Sequence, residues 1–282
     1  MAVRILIDSA SDIDKAEADE MGVDFIPMQI QFGDEEFLDG VNLSHREFYE
    51  KLIECDDLPK TSMINEFRYE ECFEELTKNG DDVVAIVLSS KLSGSYNCAK
   101  EVAKKFKDKV YVVDSMNACL GERILCQYAL RLLKEGKSAK EIVEILDEKK
   151  SKICVLGLLG TLKYLKKGGR ISSTTAFVGE VMSIKPVVQV IDGKVKMVGK
   201  AVGSKKGNNL LVQCINNNGG IDFSMPYATA YTGFSDEVLK KYLEDSKALW
   251  EGKTDNVPIY VVGSTIGTHI GPGAIAVAFF AN

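Results

Sequence analysis

The sequence predicts an α/β fold: a parallel sheet flanked by helices in an N-terminal domain, residues 1–151, followed by a second α+β domain, residues 152–282. Three observations carry this. In the first half, short apolar runs alternate with longer helical segments, the pattern of a sheet whose strands are joined by helical crossovers. Val83 to Leu88 is an unbroken run of Val, Ala, Ile and Leu, which suits a strand buried on both faces. In the second half, Asp192-Gly193 sits between two strand candidates as a hairpin turn.

Taken in order, Val3 to Ile7 is the first strand, ending in Asp8-Ser9-Ala10-Ser11-Asp12 ahead of a helix to Met21. Val23 to Ile30 alternates as a second strand. Ser44-His45-Arg46-Glu47 is a capping box that opens a helix through about Glu54. Leu58 to Ser62 reads as a polar loop, with a helix from there to about Asn79. Val83 to Leu88 runs into Ser89-Ser90-Lys91-Leu92-Ser93-Gly94-Ser95-Tyr96, where Ser93 or a neighbour caps a helix continuing over Asn97 to Phe106. Val110 to Val113 ends in Asp114-Ser115. Helices follow from about Ala118 to Glu135 and, after the capping box Ser138-Ala139-Lys140-Glu141, to about Lys150. Beyond it, strands are expected at Ile153 to Leu159, Val187 to Ile191, Val195 to Val198, Ala228 to Thr232, Ile259 to Val262 and Ala274 to Phe280. Helices are expected at Thr174 to Ile184, Lys205 to Asn217 and Ser235 to Trp250.

Composition excludes several classes. Apolar residues at 45% and charged residues at 27% describe an ordinary globular chain rather than a disordered or fibrous one. A net charge of −6 opposes a nucleic-acid or anionic-membrane surface as the main task, since both need a concentrated basic face. The seven cysteines include no C-x-x-C pair and read as reduced thiols, with neither a disulfide frame nor a metal site. The chain enters its first strand without the pattern of a signal peptide, and the late apolar run Ala274 to Ala281 is too short to span a bilayer. A cytoplasmic location is the resulting expectation.

Three strands of the first half end in Asp-Ser, Ser-Ser and Asp-Ser. In an open α/β sheet the carboxyl ends of the strands line the ligand crevice, so these ends should converge there. The hydroxyl-rich turn before a helix start is a ready anion site, although the serines serve equally well as caps. Leu162 to Ser172 is the second informative segment: two glycines end a short helix and aim Arg170, against the alternative of a solvated basic turn. In the third, Gly267-Thr268-His269-Ile270-Gly271-Pro272-Gly273, His269 stands in a glycine-rich loop before a buried strand. His45, inside a capping box, reads as a surface residue.

Asp8-Ser9-x-x-Asp12, Lys60-Thr61-Ser62, Ser89-Ser90-x-Leu92-Ser93-Gly94-Ser95-Tyr96, Val113-Asp114-Ser115, Leu165-x-Lys167-Gly168-Gly169-Arg170-Ile171-Ser172, Lys185-Pro186 and His269-x-Gly271-Pro272-Gly273-Ala274 together resemble the DegV family, in order and across nearly the whole chain. The resemblance implies a two-domain carrier that holds one long-chain fatty acid between its domains, without cofactor, metal or catalytic residue of its own. Members of the FakB type present that acid to an ATP-dependent kinase subunit for conversion to acyl phosphate. Carried over by position, the resemblance implies that Thr61, Ser93 and the amide of Gly94 bind the carboxylate. Ser62 and His269 would support it, and Arg170 would stand at the mouth for a kinase partner or a new phosphate. There are departures. Met63 and Ile64 stand where the family often has Gln-Pro, Ser95 where many members have Thr, and Ala276 where Gly is usual.

Two other readings compete. A serine-dependent acyl hydrolase or transferase would use Ser93 as nucleophile and His269 as base, but no G-x-S-x-G elbow and no clear orienting acid accompany them. A nucleotide-binding domain lacks both G-x-G-x-x-G after the first strand and a P-loop.

Overall fold

A computed structural model of the chain describes residues 2–55, 57–171 and 184–282. Elements of the first part are β1 (Val3–Asp8), α1 (Lys15–Met21), β2 (Asp24–Ile26), β3 (Gln29–Phe32), β4 (Glu35–Leu38), α2 (His45–Glu54), β5 (Lys60–Ser62), α3 (Glu66–Thr77), β6 (Asp82–Val87), α4 (Ser95–Ala103), β7 (Val110–Asp114), α5 (Leu120–Lys134) and α6 (Ala139–Lys149). The second part contains β8 (Ile153–Leu158), α7 (Lys163–Lys167), β9 (Ile184–Ile191), β10 (Lys194–Val202), α8 (Ser204–Asn217), β11 (Tyr227–Tyr231), α9 (Glu237–Asp245), α10 (Lys247–Trp250), β12 (Ile259–Val261), α11 (Ser264–Ile270) and β13 (Ile275–Phe280).

The apolar run of β6 lies where its composition places it, in the interior of a four-stranded sheet of order β2-β1-β6-β7. All of its pairings are parallel, and Val83, Val84, Ala85 and Ile86 are fully buried. Helix α5 explains how this sheet meets the second one. Its first seven residues, Leu120 to Cys126, are all buried, and it touches β1 and β6 on one side and β8, β11 and β13 on the other. A helix covered all round is a core element, and here it is the wall shared by two sheets. The second sheet has the order β10-β9-β8-β13-β11-β12 and is mixed, antiparallel throughout except for β11 with β12. The α/β plus α+β fold class holds.

Several sequence expectations are corrected. Val23 to Ile30 is two strands in different sheets: β2 pairs with β1, whereas β3 joins a small antiparallel sheet of order β4-β3-β5. The expected polar loop ends in β5, whose residues Thr61 and Ser62 pair with Ile30 and Gln29. Short length hides such strands, since three residues carry no period. The cap position of α4 falls on Gly94, the neighbour of Ser93, while Ser93 Oγ accepts from the amide of Ser95, the first residue of the helix. Ser235 to Trp250 is two helices, parted at Ser246, whose hydroxyl donates to the Tyr242 carbonyl and accepts from the Trp250 indole. His269 is not in a loop but in the last turn of α11. The helix expected over Thr174 to Ile184 falls on residues 172–183, outside the described residues, and Ile184 itself opens β9.

The seam between the sheets buries carboxyl groups. Asp8 and Asp12 are raised from 3.8 to about 6 and about 7, in each case chiefly by loss of water. Glu122, wholly buried, is pushed well above the usual carboxylate range by the same burial and then by Asp8 and Asp12. Folded-state values above the unfolded ones mean that these groups favour folding below pH 4 and that the advantage is lost as pH rises through 6 and 7. Denaturant titrations are therefore expected to show a decline on the order of 2–4 kcal/mol between pH 5 and pH 8. Asp12→Asn, which keeps a carbonyl acceptor and removes the titrating proton, is expected to flatten it; an equal decline in both proteins excludes Asp12 as its source.

Candidate functional site

The site is assembled by contacts between residues far apart in sequence. Asp39, buried beyond the end of β4, accepts from the amides of Ser264 (3.0 Å) and Thr265 (2.9 Å) at the start of α11. Asp12 accepts from the amide of Gly263 at 2.8 Å. Helix starts present unpaired amides, and these two carboxyl groups satisfy three of them, fixing where α11 begins. One turn further along, the Nε2 atom of His269 lies 3.0 Å from Oγ1 of Thr61 on β5. A Cβ on Gly168 would stand only 2.3 Å from Nδ1 of His269, so a glycine after α7 is what lets α7 approach the imidazole this closely.

Arg170 follows two residues later. Its Nε donates to the Leu92 carbonyl (3.3 Å) and its Nη1 to the Gly168 carbonyl (2.6 Å), which ties the turn after β6 to the turn after α7. Ser93 Oγ is 3.0 Å from Ser95 Oγ and accepts from the Ser95 amide at 3.2 Å. Gly94 lies against Met63, whose sulfur would be 2.6 Å from an added Cβ.

Thr61, Ser62, Ser93, Gly94, Arg170 and His269 all border one cavity of about 310 Å³. The remaining lining is mostly apolar, with Leu88 and Ala118 from the first part and Val155, Val188 and Ile275 from the second. Its volume falls at the lower end of the range for small-molecule sites, about 300–1,000 Å³. Thr61, Arg170 and His269 also border a neighbouring pocket of about 700 Å³, to which Lys60 and Lys167 contribute. The polar residues therefore stand where an apolar cavity meets a wider, cationic vestibule.

His269 is lowered from 6.5 to about 4, first by burial and then by the Arg170 charge. The imidazole is thus neutral at pH 7. Its Nδ1 atom is buried and has no hydrogen-bond partner among the described residues. No group of three or more His, Cys, Asp or Glu side chains among those residues could hold a metal ion, and no helix among them is long and apolar enough to cross a membrane.

Asp39 and Met63 were not singled out as site residues from sequence. Asp39 stands beside a glycine without any motif, and its partners lie more than two hundred positions away. The apolar lining looks like ordinary core, because a residue that packs against a ligand and one that packs against a neighbour have the same composition.

Comparison with known proteins settles the family. A model for the DegV family, described as uncharacterised protein, matches residues 2–282. The chain belongs to the DegV family. A DegV domain-containing protein of Clostridium perfringens is 34% identical, covering 99% of this chain and 97% of that one. Among solved structures, a DegV family protein from Thermus thermophilus, described for its fatty acid binding, is 25% identical, with a TM-score of 0.88 and full coverage of both chains. A stearic acid-binding protein from Eubacterium ventriosum is also 25% identical, with a TM-score of 0.85 over 99% of this chain and 97% of that one. A DegV lipid-binding protein from Thermotoga maritima is similar at 25% identity and a TM-score of 0.84, covering 99% and 98%. The two-sheet architecture of this chain is that of DegV structures.

The depressed value at His269 gives a direct test. Because it lies below the unfolded value, its contribution to stability is present above pH 6.5 and is lost as pH falls toward 4. In a His45→Asn variant, which leaves a single histidine, NMR titration of the imidazole is expected to show a midpoint near 4. A midpoint near 6.5 would mean that the ring is solvated and that the Thr61 contact does not persist in solution. A second expectation concerns α11. Asp39→Ala leaves two helix-start amides without their acceptor and should cost about 2–4 kcal/mol of stability in denaturant titration. An unchanged midpoint would show that water replaces the carboxylate.

Proposed function

We propose that this chain binds one long-chain fatty acid, with the acyl tail in the 310 Å³ cavity and the carboxylate at Thr61 and Ser93. One observation carries the reading: a mostly apolar cavity is also lined by a cluster of hydroxyl, imidazole and guanidinium groups, an amphipathic lining that fits a long tail with one charged end. On this reading residues 1–151 and 152–282 are the two domains, with the ligand between them. The fatty acid binding described for the Thermus thermophilus relative and the stearic acid named for the Eubacterium ventriosum one support the same ligand class.

The energetics divide the work. A chain of about sixteen carbons at roughly 0.8 kcal/mol per methylene contributes on the order of 12 kcal/mol before the costs of association. Affinity therefore comes mostly from the tail, and the head needs only orientation. A neutral His269 with its proton on Nε2 donates to Thr61 Oγ1, which leaves the threonine proton free for the carboxylate. Ser93 and the Gly94 amide complete the head site, with Ser62 beside them. The hydroxyl of Ser93 also stands 3.0 Å from that of Ser95.

On this reading the head lies beside the vestibule lined by Lys60, Lys167 and Arg170, which Thr61 and His269 also border. That placement supports presentation of the bound acid to an ATP-dependent kinase subunit, because phosphorylation adds charge at the end where cations stand. The chain then acts as a cytoplasmic carrier with no catalytic residue of its own. An acyl-serine route finds little support, since His269 engages Thr61 rather than Ser93, and an imidazole lowered to about 4 is a weak base.

Native mass spectrometry is expected to show a non-covalent adduct of fatty-acid mass that disappears on denaturation; a persistent adduct would instead establish an acyl-enzyme. Thr61→Val should weaken binding of added palmitate about tenfold to a hundredfold. Arg170→Ala should retain binding but lose acyl phosphate formation with a fatty acid kinase subunit and ATP. Unchanged phosphorylation would remove Arg170 from product handling.

A further inference from the structure

The acyl cavity has a second boundary, on β9. There it adjoins another pocket, of about 460 Å³, and Gln189 and Val190 of β9 border both spaces. The strand alternates, so these two residues do different things. Gln189 turns its amide away from the cavity, donating to Asn218 Oδ1 at 2.8 Å and to the Cys154 sulfur at 3.4 Å. Its neighbours Val188 and Val190 point the other way, Val188 packing with Leu159 and Leu165 and Val190 against the core that contains Ala118 and Cys119. Of the two residues that border both spaces, Val190 is the apolar one, its isopropyl group half-buried and packed against the core.

That side chain is held in place. Three residues on, the Asp192-Gly193 turn closes the hairpin with positive φ at both residues, 52° and 75°. Ser89 Oγ donates to the Gly193 carbonyl at 2.8 Å, fastening the hairpin tip to the turn after β6. A Cβ on Gly193 would come within 2.5 Å of that hydroxyl, so the approach requires glycine. Beyond Val190 the second pocket offers apolar wall from Met116 and Ile153 next to the charged Asp147, Lys150 and Lys152. A methyl end that passed Val190 would find room and some apolar surface there.

We propose that Val190 is the stop that sets the length of acyl chain this protein carries. The proposal rests on the fatty-acid reading above and adds the residue that decides among fatty acids. The stop is rigid because the hairpin that carries it is anchored at its tip, and it is small, so its volume translates directly into chain length.

The test is native mass spectrometry of wild type, Val190→Ala and Val190→Leu, each loaded from an equimolar mixture of saturated C12 to C22 fatty acids. Removal of two methyl groups in Val190→Ala should shift the most abundant adduct about two carbons longer, the length of chain that fills the space vacated. Val190→Leu should shift it shorter. Val198→Ala, at an exposed position on β10, serves as the control and should match wild type. Bound acids of the same length distribution in wild type and in both Val190 variants would overturn the proposal while leaving the carrier reading intact. A wild-type protein that takes up no acid from the mixture would overturn the carrier reading, and this inference with it. If Val190→Ala does not fold, the shift toward shorter chains in Val190→Leu decides the matter alone.

Discussion

The placement of α11 is the constraint on which the site depends. This helix is only seven residues long and has no side-chain cap of its own. A helix that short is not stable by itself, so its position is imposed from outside. Asp39 and Asp12 impose it, receiving three amides at its start from the opposite part of the molecule. His269 is then one turn away from the anchored end, close enough for the anchor to set its height against Thr61. Any shift of the aspartates would move the imidazole with them, and the head of the cavity would lose its orienting donor.

The same seam explains the burial of so many carboxyl groups. A carboxylate that fixes backbone across an interface has to lie inside that interface, where water is excluded and the charged form is penalised. Asp12 accepts the Gly263 amide and is raised to about 7 by burial, so it is close to half protonated at neutral pH. Arg123 offsets part of this cost. It is buried beside Glu17 and the Asp12 carbonyl, with its guanidinium 3.8 Å from the Tyr260 ring centroid. The seam is therefore held by polar contacts of modest net strength, while the apolar faces of α5 supply the bulk of the adhesion between the sheets.

Sequence made the parallel half of the fold legible because its signals are strong and local. β6 is an unbroken apolar run, and both capping boxes form as written, with Ser44 and Glu47, and Ser138 and Glu141, bonded reciprocally. The small sheet was not legible, because β5 is three residues long and owes its existence to pairing with β3. His269 was singled out for its glycines, yet they do not form a loop around it: Gly267 lies inside α11, and Gly271 ends the helix with φ of 69°. Six residues suggested by resemblance border one cavity, and Asp12 stood in a quoted motif, but Asp39 carried no local signal, since its meaning lies in contacts across more than two hundred positions.

On the proposed reading, the arrangement of charge around Thr61, Ser93 and His269 follows from what a carrier must do with its ligand. A full ion pair deep in the cavity would hold a carboxylate strongly but would also keep the reacting oxygen inside and raise the cost of release. Here the neutral donors Thr61 and Ser93 lie on the cavity wall and His269 is kept uncharged, in part by the Arg170 charge itself. Arg170 is tied by its Nε and Nη1 to two carbonyls, so the guanidinium is fixed in place at the boundary between cavity and vestibule. On the proposed reading, an acid oriented by these neutral groups and facing the cationic side could gain negative charge without first breaking a salt bridge, the electrostatic condition for handing over a phosphorylated product.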